Sequence, residues 1–400
     1  MSNNEREIAI ESNAPSGDGG IAVIADDFTG AAELAGIALR YGIPTTIEVN
    51  IEGGFESTLL GDGGIVVSTD SRSLNRAAAL LATQKAVKAL IQLNPVFIYK
   101  KTDSVLRGYV IDELKEQMQL QGLDKALLLP ANPSLGRTIV DGNYYINNVL
   151  INETSFAIDP EFAVTDSSIQ SMLRTNNDNE VAVLKHTDEL PAKGIVVGEV
   201  SSREDIEIWL QKIDDSFLVA GAGDCFETLL VKMNHQQNTS NQLELLQPHL
   251  YVSGTSFNKS VTLIKEMEQH GCVHYLSTAI MLGQHDEEWY KQITASIQQQ
   301  KKAVVAIDES IKQSINISAL ALRNAMAKAV KEIIETNSIH EVLIEGGSTA
   351  AAILAELNMH QFMPTHELSR GVIRMKSDGL FVTVKPGSYQ LSQQIKDLYL

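Results

Sequence analysis

The feature that most limits how this chain can fold is a set of short segments apolar on consecutive, not alternate, positions. "IAVIA" (21–25), "GIVVS" (64–68), "ALLLP" (126–130) and "HLYVS" (249–253) are of this kind. A strand with one face in water alternates. A strand covered on both faces does not, and such strands sit mainly in parallel sheets. "TTIEV" (45–49), "VFIYK" (96–100), "SFLVAGA" (216–222), "VVAID" (304–308) and "VLIEG" (342–346) complete the strand candidates. Helical periodicity fills many of the gaps, as in 108–121, which Gly122 is placed to end as a C-cap. Repeated strand–helix units of this type predict an α/β fold.

A chain of 400 residues is expected to form two domains. The polar, Asn- and Gln-rich stretch 231–248 precedes a fresh strand and puts the boundary near 245. The expected organisation is a loose polar tail (1–20), a first domain (21–245) and a second (246–400), each a mainly parallel sheet with flanking helices. Near the end, "GVIRMKSDGLFVTVKPG" (371–387) reads as two strands around a Ser-Asp-Gly hairpin turn.

Charge narrows the functional classes. With 32 basic against 50 acidic residues the net charge is −18, which argues against nucleic-acid or anionic-membrane partners. It does not exclude a small anion held in a local pocket. The two cysteines, Cys225 and Cys272, are far apart and form no CxxC, so neither a disulfide framework nor a zinc site is expected, and a reduced cytoplasmic setting fits. The opening segment has no apolar core of the signal-peptide type, and no apolar run approaches the ~20 residues that cross a bilayer.

In open α/β sheets, ligands bind beyond the carboxyl ends of the strands. Polar residues gather there repeatedly in this chain. Asp26, Asp27, Thr29 and Gly30 follow the first strand; Asp70 and Arg72 follow "GIVVST"; "KKTDSVLRG" (100–108), "PANPSLGRT" (130–138) and Gly221 to Asp224 follow others. Any one of these loops alone reads as a helix cap or a solvated surface turn. Together they would bring carboxylates, a lysine, serine and several arginines to one sheet edge. That mixture suits a small polyhydroxylated acid, since Asp accepts from hydroxyls and Arg grips a carboxylate with two hydrogen bonds. In the second half, "LYVSGTSFNKSV" and "LIEGGSTAAAIL" place Gly and hydroxyl residues between a strand and a helix start, where backbone N–H groups can hold phosphate oxygens. The first is not a Walker A loop, because Ser253 and Asn258 stand where glycines are required.

An ordered set of motifs then resembles the four-carbon acid sugar kinases. The set is "IADDFTGAAE" (24–33), "STDSRSL" (68–74), "KKTDSVLRG", "PANPSLGRTIVDGNYYINN" (130–148), "ETSFAIDP" (153–160), "VSGTS" (252–256), "EGGSTAA" (345–351) and "VKPG" (384–387). The resemblance implies an N-terminal domain that binds the acid sugar, a C-terminal domain that binds ATP, and an active site in the cleft between them. It places Asp26, Asp27, Arg72, Lys101, Asp103, Ser104, Arg107 and Arg137 on the sugar side, with Asp27 and Lys101 as candidate catalytic residues. Arg72, Arg107 and Arg137 would surround the substrate carboxylate. Thr255, Ser256, Gly346, Gly347, Ser348, Thr349 and Gly387 fall on the nucleotide side.

Phosphoryl transfer needs a group that orients the attacking hydroxyl, so one of Asp26 and Asp27 is expected at that hydroxyl, with the other holding a neighbour or capping the helix. Successive side chains at a strand end point apart, so the two should not share one job. Mg²⁺ is implied with ATP; no metal ligands are assigned. The chain departs from the family where Ser348 replaces an acidic residue, where Pro-Gly-Ser-Tyr replaces a Gly-Gly-Phe-Gly-like turn, and where Thr255 replaces a serine. Its glycines are kept, so ATP binding is expected. A homodimer is the default assembly. The competing readings are a sugar-binding sensor that has lost the chemistry and a dinucleotide oxidoreductase. The latter lacks a GxGxxG after the first strand.

Overall fold

The computed structural model describes residues 19–49, 63–158, 163–175, 180–233, 235–237, 245–255, 257–308, 310, 314–315, 317–387 and 389–400. Most of the expected tail, residues 238–244 of the polar stretch at the expected boundary, and Ser256 and Ser388 lie outside the described residues.

In the N-terminal half the strands are β1 (Ile21–Ala25), β2 (Thr45–Glu48), β3 (Gly64–Ser68), β4 (Ile98–Lys101), β5 (Lys125–Leu129), β6 (Arg137–Val140), β7 (Asn143–Ile146), β8 (Val149–Leu150), β9 (Val181–Leu184), β10 (Gly194–Gly198) and β11 (Phe217–Gly221). The C-terminal half adds β12 (His249–Ser253), β13 (Val273–Tyr275), β14 (Lys302–Ala306), β15 (Glu341–Glu345), β16 (Gln361–Ser369), β17 (Val372–Ser377) and β18 (Leu380–Lys385). The first half forms a parallel sheet in the order β2-β3-β1-β4-β11-β5-β10-β9. The second is parallel through β13-β14-β12-β15-β18, then antiparallel through β17 and β16. As expected, β1, β3, β12 and β15 are buried along their whole length, which is why they lack alternation.

The expectation of two separate sheets needs one correction. β16 pairs antiparallel with β2 through Gln361–Glu48 and Phe362–Ile47, so a single sheet runs through both halves. The helix α1 (Phe28–Arg40) sits at this join. It is buried from Phe28 to Ala38 because it meets the N-terminal sheet and the β16–β17 hairpin. A Cβ added at Gly36 would lie 2.1 Å from Ile373 Cδ1, so a larger residue there would force Ile373 to shift. Phe28 and Phe362 meet edge to face at 4.9 Å between ring centroids.

Other differences have local causes. The stretch 130–150, of which 130–138 reads as a strand-end loop, contains β6 to β8, which form their own three-stranded antiparallel sheet. β14 starts two residues before the apolar run that marks it, at Lys302, which pairs with His249 of β12. The expected helix forms as Val110–Gln121, ended by Gly122 at φ 68°, and the Ser-Asp-Gly hairpin turns through Asp378 (φ 44°) and Gly379 (φ 84°).

This topology positions the site. From β1 the chain moves to β2 and β3 on one side and later to β4 on the other. From β12 it moves to β14 and β13 on one side and later to β15 on the other. Each reversal opens a crevice at the carboxyl end of the strands, where open α/β sheets take their ligands.

Candidate active site

On the N-terminal side, Asp26 and Asp27 leave the end of β1. Asp27 is the N-cap of α1: its Oδ1 accepts from the Gly30 N–H at 2.8 Å and its Oδ2 from the Thr29 hydroxyl at 2.7 Å. Both aspartates also converge on Arg72, against the expectation that they point apart. Arg72 donates from Nε and Nη2 to Asp26 Oδ2 (3.0 and 2.8 Å) and from Nη1 to Asp27 Oδ2 (3.1 Å). The reason is that both residues lie past the last residue of β1, where the alternation of the strand has ended. The Arg72 guanidinium also stands 3.4 Å from Asp103 Oδ1. It is therefore engaged by three carboxylates. Arg72 thus holds the acidic side chains together while it also lines the cleft.

Those contacts separate the carboxyls. For Asp27, burial would raise the pKa, but Arg72, Lys101 and the Thr29 hydroxyl together hold it below the usual carboxylate range. For Asp26, burial dominates and raises it; Arg72 opposes, while Asp27 and Asp103 add to the rise. Its Oδ1 is buried without a hydrogen-bond partner among the described residues. Asp103 is desolvated too, yet Arg107 and Arg72 hold it well below the ordinary value. Arg107 binds it from the backbone N–H (3.1 Å), Nε (2.6 Å) and Nη2 (2.9 Å).

Lys101, at the end of β4, is buried; its Nζ donates to the Thr102 carbonyl at 2.9 Å and lies 3.6 Å from Glu33 Oε2. Arg137 donates to the Ser104 hydroxyl, and its guanidinium carbon lies 5.8 Å from the Phe156 ring centroid and 6.0 Å from that of Tyr389. These groups line a polar cleft with about 430 Å³ of space not filled by protein atoms. Asp27, Arg72, Lys101, Asp103, Ser104, Arg107 and Arg137 are all in its lining, and Asp26 stands just behind it through Arg72. The sequence reading missed Glu33, Phe156, Pro386 and Tyr389, which also line it. Glu33 carries a usable signal: it falls one helical turn after Thr29 on α1. Tyr389 follows a quoted turn but comes from the other half of the chain.

On the C-terminal side, three strand ends are tied together. Gly254 N–H donates to the Glu345 carbonyl and Gly346 N–H to the Lys385 carbonyl, each at 3.0 Å. Gly346, at φ 105°, precedes a helix at Gly347–Glu356. A Cβ at Gly254 would lie 2.0 Å from Thr349 Oγ1, and one at Gly387 would lie 2.7 Å from Thr255 Oγ1. The three turns thus pack on one another only because these positions are glycine. Beneath them Glu345 is fully buried and accepts hydrogen bonds from Tyr251, Ser260 and Lys385, which fixes the floor of the turns. Thr255, Gly346, Gly347, Ser348, Thr349 and Gly387 fall at or beside these turns; Ser256 lies outside the described residues.

The two sides touch. A Cβ at Gly347 would be 3.2 Å from the Thr29 side chain and 3.8 Å from Asp27 Oδ2. The helix N-terminus of one half therefore opens directly onto the aspartate cap of the other. Among the described residues no group of three or more His, Cys, Asp or Glu side chains is placed to hold a metal ion, and no helix is long and apolar enough to cross a membrane.

Fold and cleft together define a two-domain α/β protein built to bring a polyhydroxylated ligand against glycine-rich turns that can hold an anion. The first half matches the family model for a sugar-binding N-terminal domain over residues 21–223, and the second matches that for a nucleotide-binding C-terminal domain over 235–389. The chain belongs to the four-carbon acid sugar kinase family. It is similar to a 3-oxo-tetronate kinase of Haemophilus influenzae, with 22% identity over 92% of this chain and 96% of that one. It is also similar to a D-threonate kinase of Salmonella typhimurium, with 22% identity over 92% and 94%. A crystal structure of a Haemophilus influenzae protein shares the fold, with a TM-score of 0.72 at 18% identity over 94% of this chain and 98% of that one.

Proposed function

We propose that this protein transfers the terminal phosphoryl group of ATP to a hydroxyl of a four-carbon acid sugar such as threonate, erythronate or a 3-oxo-tetronate. Family membership supports the reaction class. The observation that carries the geometry is the contact between the Gly347 turn and Asp27, which puts a nucleotide-type turn within reach of an ionised carboxylate in the polar cleft.

In this reading the N–H groups around Gly346 to Thr349 hold the phosphates, helped by the positive end of the helix that begins there. Mg²⁺ would accompany ATP and offset the charge of its phosphates; none of the described residues is assigned to it. Asp27 orients the attacking hydroxyl and accepts its proton. Its two oxygens are fixed by Gly30, Thr29 and Arg72, so little reorganisation precedes the reaction. Lys101 faces the transferring phosphoryl. Arg137 and Arg107 face the substrate carboxylate, Asp103 and Ser104 help hold the sugar hydroxyls, and Arg72 positions Asp26 and Asp27.

The test is ADP release with MgATP against D- and L-threonate, D-erythronate and the 2-oxo- and 3-oxo-tetronates. Turnover with at least one is expected. Acid sugar binding without turnover on any would replace the kinase by a binding protein.

A further inference from the structure

We infer that Tyr389, supplied by the nucleotide-binding half, is a positioning and specificity residue of the acid sugar cleft. The inference rests on the kinase reading and adds to it a link between the two ligands. Tyr389 comes two residues after Gly387, whose turn packs against Thr255 and the Phe257 ring on the nucleotide side. Lys385 Nζ, held by Glu345, also lies 3.3 Å from the Pro386 carbonyl and so braces that turn from below. From there the Tyr389 side chain crosses into the cleft lining beside Pro386.

Two contacts give it a role there. Its hydroxyl donates to Glu33 Oε1 at 2.9 Å, and the other oxygen of Glu33 faces Lys101 at 3.6 Å. Its ring lies 6.0 Å from the Arg137 guanidinium, which has Phe156 at 5.8 Å. Tyr389 thus sets the orientation of a buried carboxylate suited to a sugar hydroxyl, and flanks a guanidinium suited to the acid group. The ring is itself seated: a Cβ at Gly371, in the β16–β17 turn at φ 68°, would lie 2.2 Å from it. A ring held by the nucleotide turn and by that hairpin can shape the sugar cleft only when both are in place. Filling the nucleotide turns should therefore tighten acid sugar binding, and the reverse must hold equally.

The experiment compares wild type with Tyr389→Phe, which keeps the ring and loses one hydrogen bond, and Tyr389→Ala, which loses both. Steady-state KM is measured for the acid sugar and for ATP, and calorimetry follows acid sugar binding with and without a non-hydrolysable ATP analogue. Tyr389→Phe should raise the acid sugar KM about tenfold, as for loss of a hydrogen bond to a charged group, and leave the ATP KM within about twofold. Tyr389→Ala should also abolish the tightening of the sugar by the analogue. An unchanged sugar KM in both variants, or equal rises in both KM values, would overturn the inference while the kinase reading stands. Wild type that neither turns over nor binds any acid sugar would overturn the kinase reading, and this inference with it.

Discussion

At the scale of the residue, Asp27 joins two roles that the sequence offered as alternatives. It caps α1 and it lines the cleft, and both follow from its place one step beyond Asp26 at the end of β1. The strand-end rule made Asp26, Asp27, Arg72, Lys101 and Asp103 legible, because it needs only local sequence. Tyr389 was not legible, since its hydrogen bond to Glu33 joins positions 356 residues apart. Asp70 gives a prediction of its own. It sits at φ 46°, and burial first, then the charge of Asp27, raise its carboxyl to about 6 against the pull of Arg72 and Arg323. The native state then holds this proton more tightly than the unfolded chain does. Stability is lost as pH rises from about 4 to 6. Asp70→Asn, which tolerates the same backbone, should gain roughly 1–3 kcal/mol at pH 8 and nothing near pH 4, as measured by urea unfolding. A gain as large at pH 4 as at pH 8 would contradict the assignment.

Elements were most legible where pattern and cap agreed. The all-apolar strands, the helix ended by Gly122 and the Ser-Asp-Gly hairpin all carry their signals within a few residues. β6 to β8 were hidden because short antiparallel strands around Asp-Gly resemble loops, and β16 because it is mostly half-buried with only Phe362 fully inside. β12 carries an energetic oddity at its first residue. His249 is buried, its two ring nitrogens have no partner among the described residues, and its ring lies edge-on to Tyr399 at 5.1 Å between centroids. Burial, with some help from Lys302, pushes its pKa down to about 4. The unfolded chain takes up this proton below about pH 6.5 and the native state does not. This contribution to stability is present above pH 6.5 and falls by roughly 3 kcal/mol on the way to pH 4. His249→Phe should flatten that acid limb in denaturant unfolding. A limb of unchanged steepness would show that His249 titrates normally.

At the scale of the molecule, the two halves are not separate bodies joined by a linker. The β2–β16 pairing, the Phe28–Phe362 contact and the close approach at Gly36 merge them through α1, the helix that begins at Asp27. The same helix start faces the Gly347 turn, so the join also sets the distance between the sugar and nucleotide sides. Ion pairs reinforce it, with Arg370 of the β16–β17 turn on Asp224 and Arg40 of α1 near Glu367. Phe362→Ala should lower stability by roughly 3–5 kcal/mol and weaken turnover together with it. A variant with full turnover and a melting point close to wild type would mean that the join does not position the site. This long-range pairing had no signal in the sequence, because β2 and β16 are far apart in the chain.

The most direct test of the central claim is phosphoryl transfer by Asp27→Asn beside wild type, with acid sugar affinity measured in parallel. Asn is as good a helix cap as Asp, so the fold should hold while the charge and the proton acceptor are lost. The account predicts MgATP-dependent turnover of an acid sugar by wild type, and a loss of about a hundredfold or more in kcat for the variant with sugar binding retained. Near-normal turnover by Asp27→Asn would contradict it.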